Sequence, residues 1–247
     1  MIVKTEIAAI IIIAVAMLPT PIWAAVHTKN LVAGYRFEEP SGTGVADMSG
    51  NARTGTATGT TIVTGHNGRG RSFNGTSDKI SIADNAALRL GTFTLAAWVK
   101  LTATPTNGQK MVMIEKDDTS GNANYALSVE NNNNCSVGLA WEGWFQDSSG
   151  AVYDNCYAVT MSTGTWYFVV GTWDSTNLKL YINGVLEKTT NQSGHTPTTG
   201  TGVLMLGNEA GNAFWFNGVL DEARVYNRAL TATEVRALML GYEPSEF

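Results

Sequence analysis

Short runs of two-residue alternation, punctuated by Asn-Gly, constrain this chain more than any other feature. In FTLAAWVKL, Phe93, Leu95, Ala97, Val99 and Leu101 share one face, while Thr94, Trp98 and Lys100 share the other. Trp166, Phe168 and Val170 alternate with Tyr167, Val169 and Trp173, and Leu178, Leu180 and Ile182 alternate with Lys179 and Tyr181. Each run has the length of a strand and is rich in aromatic or β-branched residues. Asn183-Gly184 divides the apolar pairs of YINGVL, a hairpin signal because both central residues of such a turn take positive φ. Asn74-Gly75 and Asn217-Gly218 repeat the device after Phe73 and Phe216. Strands joined by tight turns without helical spacers imply an all-β fold of antiparallel sheets packed face to face.

One helix is expected near the end. In LTATEVRALML, Thr231 and Glu234 fit a capping box, and Leu230, Val235 and Leu238 form one apolar side. With 247 residues, of which only 15% are charged, the chain suits a single sandwich over residues 25–240, followed by a short tail at 241–247.

Residues 1–24 read as a secretory signal peptide. Lys4 precedes an apolar run from Ile7 to Leu18, too short for the ~20 residues of a bilayer span. Pro19 and Pro21 then end any helix, and Ala24 or Ala25 offers a cleavage site. An uncleaved anchor is the rival reading. Secretion leaves no later membrane span, and the net charge stays at −5, with Lys4 and Glu6 cancelling. A mildly acidic chain without a basic cluster excludes nucleic acid as the natural partner. In an oxidising compartment Cys135 and Cys156 pair as a disulfide; two separate buried thiols are the alternative.

Six segments together resemble the laminin-G-like jelly rolls of the concanavalin A-like lectin/glucanase superfamily, including its pentraxin-like branch. They are LVAGYRFEE at 31–39, DMSGNARTGTATG at 47–59, RSFNGTSDKISIAD at 71–84, FTLAAWVK at 93–100, TWYFVVGTWDSTNLKLYINGVL at 165–186 and FNGVLDEARVYNRALTATEV at 216–235. The resemblance implies a two-sheet antiparallel jelly-roll sandwich with one short C-terminal helix. It also implies a structural calcium held between an early loop and a late acidic strand. Asp47, with carbonyls around Asn51 and Gly55, and Asp221 stand at the matching positions. Calcium takes six to eight oxygens, and Asp221, read as sharing a strand face with Val219, Ala223 and Val225, needs compensation among apolar neighbours. The other reading is that Asp47 caps its own turn and Asp221 pairs with Arg36 or Arg224.

The stretch between the cysteines is unusually aromatic. Trp141, Glu142, Trp144 and Tyr153 lie there, with Trp215 on a later turn. Aromatic faces cover the C–H faces of sugars and polar side chains meet the hydroxyls, so these residues form the expected ligand set. Core packing is the competing role for each ring.

Nothing in the chain marks catalysis. The E-x-D-x-x-E string of related glucanases is absent, as are Q-I-H, GxSxG, P-loop and HExxH strings. His27 stands near the start of the mature chain, and His66 and His195 sit in Gly-flanked loops. The expectation is therefore a secreted, calcium-stabilised, non-catalytic module that binds a glycan or polysaccharide. The alternative is a structural or adhesive protein whose partner is another protein or itself, since pentraxin-like sandwiches form rings.

Overall fold

The alternating runs are strands. The computed structural model describes residues 30–118, 122–131, 134–209, 211 and 214–242, so the expected signal peptide and residues 243–247 of the tail lie outside the described residues. In chain order the first strands are β1 (Leu31–Tyr35), β2 (Gly44–Val45), β3 (Gly55–Thr58), β4 (Thr61–Thr64), β5 (Arg69–Asn74) and β6 (Lys79–Ile82). The long central strands follow: β7 (Phe93–Leu101), β8 (Gln109–Asp117), β9 (Ala123–Asn131), β10 (Leu139–Gln146) and β11 (Val152–Ala158). The chain then forms β12 (Trp166–Trp173), β13 (Asn177–Ile182), β14 (Val185–Asn191), β15 (Leu204–Leu206), β16 (Asn217–Tyr226) and helix α1 (Ala232–Met239).

These strands make two eight-stranded antiparallel sheets. Sheet A runs β14-β13-β12-β7-β16-β5-β4, with β1 also paired to β16; sheet B runs β11-β10-β9-β8-β15-β6-β3-β2. The core between them takes one parity of each strand: Leu95, Ala97 and Val99 from β7, Tyr125, Leu127 and Val129 from β9, and Trp141 and Phe145 from β10. At one margin Asn155 of β11 reaches across to sheet A. Its Nδ2 donates to the Leu178 and Lys188 carbonyls at 2.7 and 3.2 Å, so this buried amide ties the two layers.

Local chemistry accounts for most boundaries. Asn183 and Gly184 both have positive φ, 50° and 77°, and turn β13 into β14. Asn217-Gly218 differs from expectation, because it opens β16 rather than forming a turn. A side chain on Gly218 would meet the Lys100 carbonyl oxygen at 2.4 Å, so glycine there serves close approach between strands. Asn74 also forms no two-residue hairpin; its Oδ1 accepts from the amides of Thr76 and Ser77. Helix α1 begins with the full capping box of Thr231 and Glu234 and buries Val235 and Leu238.

Cys135 and Cys156 are joined, with Cα atoms 5.7 Å apart across a separation of 21 residues. Replacing both by serine is expected to cost about 3 kcal/mol of unfolding free energy by loop-closure entropy. Urea unfolding of the variant beside the oxidised wild type measures the loss; an unchanged midpoint would show that the bridge adds nothing.

Candidate ligand-binding site

The expected ligand residues divide by strand parity. Trp141 points inward, has no exposed surface and packs 5.6 Å from the Tyr167 ring. Tyr153 also takes the inner side, stacked 5.2 Å from Phe145 and 3.9 Å from His195, with its hydroxyl donating to Asp147 Oδ2 at 3.0 Å. Trp141 is thus a core residue, a correction that follows from alternation: its neighbours Glu142 and Trp144 must face the other way.

Those two do meet on the outer face of sheet B. Ser128 of β9 stands opposite Glu142 of β10 and joins them: its hydroxyl donates to Glu142 Oε2 at 2.5 Å and accepts from Trp144 Nε1 at 3.1 Å. The Lys110 ammonium lies 4.0 Å from the centre of the Trp144 ring and 4.8 Å from that of Phe214. Asp154 of β11 is the diagonal neighbour, with a carboxylate oxygen within 4.8 Å of one on Glu142. Glu130 accepts from the amides of Asn134 and Cys135 at 2.7 and 2.6 Å, fixing the start of the disulfide loop to the same face. Trp215 is half-buried, with the Lys79 ammonium 5.8 Å from its ring centre.

Burial governs the electrostatics of this face. It pushes the Glu142 carboxyl up to about 7, against the opposing pull of Lys110 and the Ser128 hydroxyl. Burial, then the nearby Glu130, also raises Asp154. Glu142 is wholly buried and Trp144 is 3% exposed, so the face is a closed polar and aromatic network rather than an open platform. Sequence reasoning missed Ser128, Lys110 and Phe214. Ser128 was accessible in principle, because it shares parity with Glu130 and opposes Tyr125, Leu127 and Val129 in the run YALSVE.

Asp47 and Asp221, expected to share a calcium ion, accept from separate sets of donors. Both oxygens of Asp47 are taken by donors: Oδ1 accepts from the Gly34 and Ser49 amides at 3.0 and 2.9 Å, and Oδ2 from the Ser49 hydroxyl and Arg53 amide at 2.7 and 3.0 Å. Asn51 directs its amide group to the Leu31 carbonyl at 3.1 Å and to Ser49 Oγ at 2.9 Å. Gly55 lies within sheet B, between Val45 and Ile82. Asp221 serves a different loop, accepting from the Asn67 amide at 2.8 Å. A calcium ion needs oxygens directed at it; N–H and O–H groups take both oxygens of Asp47, whereas Asp221 Oδ1 is buried without a hydrogen-bond partner.

Asp221 also departs from its expected face. Glu222 takes φ of 52° in a bulge that shifts the register of β16 between Asp221 and Arg224. Asp221 therefore stays outward with Val219, opposite Trp98, while Ala223 and Val225 turn into the core. Burial pushes its carboxyl up to about 7, opposed by the Asn67 amide. The ion pair expected of Asp221 belongs to Glu222, whose Oε2 lies 2.6 Å from Arg224 and 3.9 Å from Arg36.

A family profile described as the concanavalin A-like lectin/glucanases superfamily, of laminin-G type, matches residues 44–236. Among solved structures, domain 4 of AbnA, an extracellular GH43 arabinanase from Geobacillus stearothermophilus in complex with arabinotriose, superposes with a TM-score of 0.65 at 24% identity, covering 85% of this chain and 98% of that one. The binding domain of Paraclostridial Mosquitocidal Protein 1 gives 0.68 at 20% identity, covering 86% and 52%. The binding domain of Botulinum Neurotoxin DC in complex with SialylT gives 0.66 at 14% identity, covering 87% and 52%. The chain thus spans about half the length of these toxin binding domains.

Proposed function

Since the chain belongs to the concanavalin A-like lectin/glucanases superfamily, we propose that it is a non-catalytic carbohydrate-binding module acting outside the cell. One observation carries the reading: the fold matches nearly the full length of an arabinanase domain whose structure holds arabinotriose. The disulfide supports an oxidising, extracytoplasmic setting, and the apolar segment before Pro19 supports export.

Non-catalysis has a physical basis as well. Glu142 and Asp154 come as close as the roughly 5 Å carboxyl pair of retaining glycosidases. Glu142 has no exposed surface, however, so no glycosidic oxygen reaches it. Calcium forms no part of this reading, because both oxygens of Asp47 are already answered by donors.

Native gel electrophoresis through soluble polysaccharides tests the reading. Retardation of the wild type by at least one of arabinan, xylan or mixed-linkage β-glucan, with no release of reducing sugar, is the expected result. Free migration in all three would remove the carbohydrate reading and favour a protein partner.

A further inference from the structure

The outer face of sheet A is only partly covered. Leu230, with Val235 and Leu238 of helix α1, packs over Ala96, Phe168 and Val170. Trp98 lies half-buried at the margin of that cluster, and Trp166 lies beyond it, also half-buried. Across β7 and β12, Trp98 pairs with Phe168 and Lys100 pairs with Trp166, so the two indoles are diagonal neighbours on one face.

A third ring completes the arrangement. His66, exposed at the tip between β4 and β5, lies flat on Trp98 with ring centres 3.4 Å apart and planes 8° apart. Trp166 stands beside it, 5.8 Å away and at 83° to the imidazole. The tip is held in place: the Gly65 amide donates to the Gly68 carbonyl at 3.1 Å, and the Asn67 amide donates to the buried Asp221 carboxylate at 2.8 Å. The Lys100 ammonium sits 4.8 Å from the centre of the Trp166 ring, and the Asn67 side chain donates to Glu222 at 3.4 Å. Burial against its neighbours lowers His66 from the usual imidazole value, opposed by the nearby Glu222.

We infer that His66, Trp98 and Trp166 form the carbohydrate-binding platform of this protein, and that its ligand is a neutral, soluble chain of equatorially substituted pyranoses such as xylan or mixed-linkage β-glucan. The inference rests on the binding-module reading and adds the site and the ligand class. A pyranose with equatorial hydroxyls offers a flat C–H face to a ring, while its rim hydroxyls reach the neighbouring Lys100 and Asn67. Two ring surfaces near a right angle receive successive sugars only when the chain twists between them. A flat twofold ribbon, the form of crystalline cellulose, presents its rings in one plane and meets at most one surface. Trp141, by contrast, offers a ligand nothing, and Trp144 lies in a closed network.

The test uses the whole chain with Trp166→Ala, His66→Ala and, in the loop before β16, Trp215→Ala. Titration calorimetry with xylan and mixed-linkage β-glucan oligosaccharides measures affinity, and thermal unfolding confirms that each variant is folded. Trp166→Ala and His66→Ala are expected to lose roughly tenfold or more in affinity. Trp215→Ala is expected to bind as wild type, and crystalline cellulose to retain none of the proteins. A wild type that binds these oligosaccharides while W166A and H66A bind equally well overturns the platform and spares the function. A wild type that binds only arabinan overturns the ligand class, and one that binds no carbohydrate overturns both readings. If H66A or W166A fails to fold, Lys100→Ala and wild-type oligosaccharide protection of tryptophan from oxidation replace it: unchanged affinity together with no protection overturns the platform.

Discussion

Trp141→Ala is expected to lose about 3–5 kcal/mol of folding stability, the cost of a large cavity in a packed core, while its folded fraction binds carbohydrate as the wild type does. The indole has no exposed surface and packs against Tyr167 between the sheets. Trp166→Ala is the reciprocal case, because a half-buried surface ring leaves no closed cavity. It should retain stability and lose affinity. Urea unfolding of both variants beside their binding isotherms separates the roles. A stable Trp141→Ala protein with weakened binding would place the ligand on the inner strand face and reverse the assignment.

Glu142→Gln is expected to change the pH dependence of stability by a comparable amount. The folded carboxyl sits at about 7, above the 4.5 of the unfolded chain, so the native state holds a proton that the unfolded state releases. That contribution is complete below about pH 4.5 and disappears as pH rises through about 7. From pH 5 to pH 8 the wild type should lose of order 3 kcal/mol at this site. Glutamine keeps an acceptor for the Ser128 hydroxyl, 2.5 Å from the carboxylate, without carrying a charge. The variant should therefore be the more stable protein at pH 8 and show a shallower slope. Asp221, also at about 7, stays in both proteins, so the difference between the two curves isolates Glu142. Parallel curves would mean that the buried carboxyl titrates normally.

The fold was legible because parity and turns are local properties. The runs at 93–101, 166–173 and 178–182 fall in β7, β12 and β13, and the capping box became the start of α1. The pairing of Cys135 with Cys156 followed from compartment and count. What escaped was set by partners distant in sequence. The bulge at Glu222 moved Asp221 away from Ala223 and Val225, and no local pattern in GVLDEARVY announces it. Asn217-Gly218 carries a turn signature, yet its glycine answers the approach of Lys100 from another strand.

The site was harder to read for the same reason. Alternation places Trp141 opposite to Glu142 and Trp144, but only packing decides which parity faces the core. Trp98 and Trp166 were both recognisable as members of alternating runs, and Trp98 was already on the face away from Phe93 and Leu95. Their neighbour His66 comes from a hairpin tip 32 residues before Trp98, a contact that only the folded sheet creates. The calcium expectation placed Asp47 and Asp221 in one set. The fold gives each its own loop and its own donors.

The most direct measurement is a nitrogen–proton correlation spectrum of the tryptophan indoles during titration with xylo-oligosaccharide. The account predicts that the Trp98 and Trp166 resonances move with saturable binding while those of Trp141 and Trp173 stay fixed. Movement confined to Trp144 and Trp215, with Trp98 and Trp166 unchanged, would contradict it.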